Sequence, residues 1–271
     1  MKTIAICNRK GGTGKTTITV NLAACLDRVY GKKVLVIDCD TQCNTTSYLR
    51  GDETSPPKTT LSDYFKHPAK TVSKMKTNEF INQVQFELGE VRKILINSNI
   101  YLIAGSKELD FISIRDDDCL KKLLEQVKDD YDYCIMDCPP GVNGVSVNGL
   151  CAADCIIVPL VPGPDSVHGY EMMSDMVDGL RENGRNDRLY ILGIVLNNVG
   201  RQSGLDEYYS EIWDSGEGAS STMFNTHIHT AAVIKEAREF CRPLHYYKRA
   251  CPAAKEYQEL VCEIMERLEE N

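Results

Sequence analysis

Lys10-Gly11-Gly12-Thr13-Gly14-Lys15-Thr16-Thr17 combines glycines, lysines and hydroxyls in an order suited to gripping phosphate. The glycines let backbone N–H groups point at an anion with no Cβ in the way, and a helix starting there adds its dipole. Lys15 offers a point charge to β- and γ-phosphates, and Thr16 offers its hydroxyl to magnesium. The bland alternative is a glycine turn that only joins a strand to a helix. Gly14-Lys15-Thr16 in that flanking context favours phosphate, and the ligands it predicts are ATP and Mg2+.

Acids follow two other apolar runs. Val34 to Ile37 leads into Asp38 and Asp40, and Tyr133 to Met136 leads into Asp137-Cys138-Pro139-Pro140-Gly141. The ends of buried parallel strands are where ligands bind in open α/β sheets. Asp38 and Asp40 share one alternation phase, so both can face the first loop. A polar turn with a helix cap is the competing reading. At the end of a further run stand Asn197 and Asn198. A side-chain amide donates and accepts, which suits a purine edge, and a structural turn is the alternative.

The elements that must position these groups alternate along the chain. Thr3 to Cys7 reads as a strand. Ile18, Leu22, Cys25, Leu26 and Val29 then fall at helical spacing, and Gly31 stops that helix. Val34–Ile37, Ile100–Ala104, Tyr133–Met136, Cys155–Val161 and Tyr190–Leu196 read as buried strands, with Met223–Ile228 a further candidate. Strand–helix alternation predicts an α/β fold: a mostly parallel, twisted sheet with helices on both faces. Tyr257, Leu260, Val261, Ile264, Met265 and Leu268 give the last helix one apolar stripe. The expected organisation is one domain over residues 1–271. Residues 51–98 are polar and turn-rich, and are expected as an insertion peripheral to the sheet. The stretch 200–221 is polar and glycine-rich.

Composition narrows the class. A net charge of −8, from 31 basic and 39 acidic residues, opposes a uniformly basic coat on nucleic acid but allows a local patch. No apolar run approaches the roughly 20 residues of a membrane span, and the N-terminus lacks the pattern of a signal peptide. Twelve cysteines invite a metal or disulfide reading, yet no C-x-x-C pair occurs and most sit among Val, Ile and Leu. They read as small core hydrophobes in a reducing compartment, which makes a cytoplasmic location the expectation.

Taken together these motifs resemble the ParA/MinD family of P-loop ATPases. The general phosphate-loop pattern wants glycine six residues before its lysine; here Arg9 stands there and Lys10 precedes the glycine pair, as in that family's deviant Walker A loop. Asp38-Cys39-Asp40-Thr41-Gln42-Cys43-Asn44 resembles its D-x-D-P-Q-G-N motif, with Thr41 in place of proline and Cys43 in place of glycine. Asp137-Cys138-Pro139-Pro140 resembles its D-C-P-P motif, and Val158 to Pro164 its P-x-x-P-x-P run. The resemblance covers nearly the whole chain and is weakest over 51–98 and 200–221. It implies that Lys10 acts across an ATP-dependent homodimer on the partner's nucleotide. It further implies that Asp40 positions the attacking water, that Asp38 supports the metal site, and that Asp137 holds magnesium through water. An adenine contact is implied at Asn197 or Asn198.

The same resemblance implies a cycle: ATP-driven dimerisation, binding of double-stranded DNA without sequence preference, and hydrolysis stimulated by a ParB-type partner, in a nucleoid-associated protein. Lys235, Arg238, Arg242, Lys248 and Arg249 form the basic cluster for DNA, the first three at spacings that can share a helical face. A solvated basic face balanced by Glu236 and Glu239 is the alternative. Three rivals remain. A MinD-like membrane ATPase would need a basic amphipathic terminal helix, whereas Glu263 to Glu270 is acidic, so no membrane partner is expected. A reductase-like ATPase would need a bridging iron–sulfur cluster, and a positioning ATPase for another cargo would share the whole core.

Overall fold

The computed structural model describes residues 1–270 apart from 52–56, 69–79, 89–93, 115, 165 and 201–221. The stretch 201–221, singled out above for its polarity, therefore lies outside the described residues. The strands are β1 Lys2–Ile6, β2 Val34–Asp38, β3 Ile81–Leu88, β4 Ile94–Ile103, β5 Tyr133–Asp137, β6 Cys155–Leu160, β7 Tyr190–Val199 and β8 Ile228–His229. They form one sheet in the order β3-β4-β2-β5-β1-β6-β7-β8. All pairings are parallel except the antiparallel β3–β4 hairpin.

The helices are α1 Lys15–Tyr30, α2 Asn44–Arg50, α3 Leu61–Lys66, α4 Cys119–Glu125, α5 Gly144–Ala152, α6 Ser166–Glu182, α7 Ala232–Glu239, α8 Leu244–Tyr247 and α9 Pro252–Glu270. Strand side chains alternate between two apolar layers. Ile4, Ile6, Val34 and Val36 pack with Ile18, Leu22, Tyr257, Leu260 and Val261 on one face. Ala5, Leu35, Ile37, Cys134 and Met136 pack with Leu120, Leu123, Met173 and Val177 on the other. Burial on both faces explains why the parallel strands read as continuous apolar runs. The stripe of α9 is spent in this core; each such side chain, once fully buried, contributes about 1.5–3 kcal/mol.

Helix α1 ends where the sequence indicates. Gly31 takes φ 63°, and its N–H bonds Asp27 O at 2.9 Å while Lys32 N–H bonds Leu26 O at 3.0 Å. Seven of the cysteines are buried and all twelve are free thiols. Burial pushes the Cys25 thiol up to about 12, so it stays protonated and behaves as a small apolar group.

Two sequence expectations need correction. Residues 51–98 are not wholly peripheral, since β3 extends the sheet at its edge and β4 begins at Ile94 rather than Ile100. The candidate strand Met223–Ile228 is reduced to a bridge from Met223 to Ile194 and the two-residue β8.

Gly193 on β7 faces the Phe224 ring, which is fully buried and carries the Arg267 guanidinium 4.3 Å from its centroid. A Cβ at Gly193 would stand 2.3 Å from that ring. Gly193→Ala should therefore cost about 1–3 kcal/mol by overpacking. Thermal unfolding followed by circular dichroism should show a midpoint lower by about 2–4 °C for each kcal/mol, and an unchanged midpoint would refute this packing.

Candidate nucleotide-binding site

The parallel register lines up the carboxyl ends of β1, β2 and β5. Ile6 and Asp38 both pair with Asp137, so the chain leaves β1 for its glycine loop at the level of two adjacent acids. The loop closes on α1 through Gly14, whose φ of 91° is left-handed, and no side chain caps that helix. Its first N–H groups thus remain available to an anion. Two asparagines hold the loop. Asn197 Nδ2 donates to Thr13 O at 2.8 Å, and a Cβ at Gly14 would meet that amide at 2.0 Å. On the other shoulder Asn8 Nδ2 donates to Pro159 O at 2.6 Å, while Asn8 Oδ1 accepts Lys10 N–H at 2.8 Å.

Lys15 is 7% exposed, and its ammonium donates to Lys10 O at 3.0 Å. Burial lowers its pKa, opposed by Asp137 and Asp40. A cation kept out of water beside uncapped N–H groups matches a polyanion.

Asp137 Oδ2 accepts from Thr16 Oγ1 at 2.7 Å and from Thr45 Oγ1 at 2.6 Å. Its Oδ1 is buried with no hydrogen-bond partner. An orphaned carboxylate oxygen next to the Thr16 hydroxyl is an oxygen-only donor set that fits magnesium.

Asp38 is differently committed. Its Oδ2 accepts from Thr46 N at 2.8 Å and Thr46 Oγ1 at 2.6 Å, and its Oδ1 accepts from Asp40 N at 3.1 Å. Thr46 Oγ1 in turn accepts Gly105 N–H at 2.8 Å, and a Cβ at Gly105 would stand 2.9 Å from the Asp38 carboxyl carbon. These bonds make Asp38 a brace for the Asp40 loop and the start of α2. Asp40 is 8% exposed and lines the cleft, with Oδ1 tied to Gln42 N–H at 2.9 Å. Cys43, where the related motif has glycine, adopts a left-handed φ of 53°.

These groups line a cleft of about 410 Å3. Gly11, Gly12, Gly14, Lys15, Thr16 and Thr17 form its floor, and Asp40, Asn44 and Pro140 one wall. Asn197, Asn198, His229, Thr230 and Ala231 also line it. Lys10 is exposed and lies outside the lining of its own chain's cleft.

The basic cluster divides between the cleft and the outer surface. Lys235 and Arg238 reach the cleft wall, whereas Lys248 pairs with Glu236 at 2.8 Å. Arg242 does not share the helical face, because α7 ends at Glu239 and Cys241 turns left-handed at φ 50°. Arg249 is exposed beyond α8. Sequence reasoning missed Asn8, Thr45, Thr46, Gly105, His229 and Thr230. Of these only the hydroxyls beside Asn44 carried a local signal, namely polar residues opening a helix next to the acids.

Comparison with known proteins agrees with this geometry. The profile of the AAA domain family matches residues 1–191. The sporulation initiation inhibitor protein Soj of Bacillus subtilis is 30% identical over 263 residues, covering 97% of this chain and 98% of that protein. The structure of apo McdA from Cyanothece superposes with a TM-score of 0.78 at 25% identity, covering 98% of this chain and 99% of that one. The septum site-determining protein MinD of Pyrococcus horikoshii, complexed with Mg-ADP, superposes with a TM-score of 0.73 at 25% identity, covering 97% and 95%.

Burial and the neighbouring Asp137 charge push Asp38 up to about 7, and burial with the Asp40 charge pushes Asp137 up to about 6. Each carboxyl holds its proton more tightly folded than unfolded. That stabilisation is complete below about pH 4 and is lost as pH rises through about 6 to 7. The nucleotide- and metal-free protein should therefore lose thermal stability as pH rises from about 4 to about 7 and level off above that. Asp137→Asn should flatten that decline in a dye-based unfolding assay, and an equally steep decline would contradict the charge pairing.

Proposed function

The chain belongs to the ParA/MinD family of P-loop ATPases, and from that premise we propose that it is an ATP-hydrolysing switch of the ParA type that dimerises on ATP and binds DNA without sequence preference. The observation that carries this reading is the meeting of the glycine loop, Lys15, Asp40 and the Thr16–Asp137 pair in one cleft. Backbone N–H groups and Lys15 bind the phosphates, and Thr16 with Asp137 would hold magnesium. Magnesium, when bound, neutralises charge on the phosphoryl oxygens. Asp40 orients the attacking water, and its own orientation is set by Gln42 N–H and by Asp38 through the loop. Phosphoryl transfer needs mainly positioning and charge neutralisation, which these residues supply.

Lys10 completes the site in a second copy. Its exposure outside its own cleft supports action in trans on the partner's nucleotide, where a cation stabilises the transition-state charge. For DNA the candidates are Arg242 and Arg249 together with Lys235, Arg238 and Lys248, the last three drawn partly into the cleft wall or an ion pair. A ParB-type protein would stimulate hydrolysis and release, in a cytoplasmic, nucleoid-associated cycle. The buried stripe of α9 supports this reading over a MinD-like membrane cycle. Positioning of another cargo would use the same core.

Fluorescence anisotropy of a random-sequence duplex, without nucleotide, with ADP, and with ATP plus magnesium, tests the switch. Binding should require ATP and weaken at high salt. Lys15→Ala should abolish ATP binding. Lys10→Ala should retain it, lose DNA binding, and reduce partner-stimulated turnover by about 10³-fold. Intact ATP hydrolysis with no DNA binding in any state would overturn the partition reading.

A further inference from the structure

Lys10 is followed by two glycines, and Gly12 takes a left-handed φ of 76°, so the loop beyond Lys10 supplies little stiffness of its own. The direction in which the Lys10 side chain leaves the loop has to be set from outside. Its backbone is held on both sides. Lys10 N–H donates to Asn8 Oδ1 at 2.8 Å, and Lys10 O accepts from the Lys15 ammonium at 3.0 Å. Asn8 is anchored in turn through its other amide atom, with Nδ2 donating to Pro159 O at 2.6 Å. Pro159 belongs to β6, which the pairings with β1 and β7 fix within the sheet.

The anchor is rigid. Asn8 is 2% exposed, and α6 packs closely over it at Gly169, where a Cβ would stand 3.9 Å from Asn8 Oδ1. A buried amide that accepts on one side and donates on the other has a single satisfied orientation. An ionised aspartate lacks the donor, and a serine lacks the reach to make both bonds. Asn8 does not line the nucleotide cleft, so its route to the chemistry runs through the Lys10 backbone.

We propose that Asn8 is a positioning residue for the lysine that acts in trans: its amide pins the Lys10 backbone to the end of β6 and so aims the Lys10 side chain at a partner's nucleotide. This rests on the reading of Lys10 given above and adds the group that directs it.

Complementation of ATP turnover between variants tests it, at saturating ATP with magnesium and high protein concentration. Asn8→Ala alone should lose about 10²-fold in turnover, the effect of a misplaced catalytic group. Asn8→Ser, the gentler change to the fold, should behave alike. Asp40→Ala, which keeps Asn8 and Lys10, should also be inactive alone. An equimolar mixture of Asn8→Ala with Asp40→Ala should recover about a quarter of wild-type turnover, because half of the dimers then carry one complete site. Lys10→Ala mixed with Asp40→Ala should recover equally. A defect confined to the variant's own phosphate loop gains nothing from mixing. Recovery with Lys10→Ala but with neither Asn8 variant would overturn the role of Asn8 and leave the trans lysine standing. Wild-type turnover in the Asn8 variants would overturn it as well. Recovery in none of the mixtures would overturn both.

Discussion

Three charges, Lys15, Asp38 and Asp137, sit at the carboxyl edge of the sheet with almost no access to water. Removing an ion from water costs several kcal/mol after relaxation unless partners compensate, and the surrounding structure is organised to compensate. Thr16 and Thr45 converge on one oxygen of Asp137, Thr46 and the Asp40 N–H saturate Asp38, and the Lys10 carbonyl receives Lys15. Each bond ties a different segment to the same point. The glycine loop, the turn after β2, the start of α2 and the end of β5 therefore behave as one connected unit, and a disturbance at any of them reaches the others through a single hydrogen bond.

That unit rests on an ordinary scaffold. Two apolar layers clamp the sheet, and the polar groups of the cleft lie at the strand ends, in the loops that follow them, in α7 and in the first turns of α1 and α2. The cleft then divides by chemistry. Its lining combines backbone donors and a cation from the glycine loop, a carboxylate from Asp40, and amide, imidazole and hydroxyl groups from Asn197, Asn198, His229 and Thr230. Lys235 and Arg238 of α7 line the same cleft.

Much of this was legible in the sequence where the signal was local. The apolar runs of β1, β2, β5, β6 and β7 stand out because buried parallel strands need nearly every side chain to be apolar. The glycine loop stands out because few other functions need that composition between a strand and a helix. Edge strand β3 was hidden because Ile81-Asn82-Gln83-Val84-Gln85-Phe86 is half polar, as a strand with one exposed flank and a bulge between Gln83 and Gln85 can be. Arg242 was placed on a helix by counting spacings alone. It precedes Pro243, and the residue before a proline is disfavoured in helix, so that boundary was readable. Asn8 and Gly105 carry no local signature at all. Their roles come from contacts between residues far apart along the chain.

Cys43 bears on how firmly the switch is set. It heads α2 in a backbone region that suits glycine, with its Sγ 3.4 Å from Thr41 O. An L-residue there carries a penalty on the order of 1 kcal/mol, and the loop on either side of it holds Asp40 and Thr45. Any arrangement of the loop that releases Cys43 from this region recovers the penalty, which is worth roughly a fivefold change in population between two arrangements. An L-residue thus stores local strain between Asp40 and Thr45, and Cys43→Gly would hold the same backbone without it.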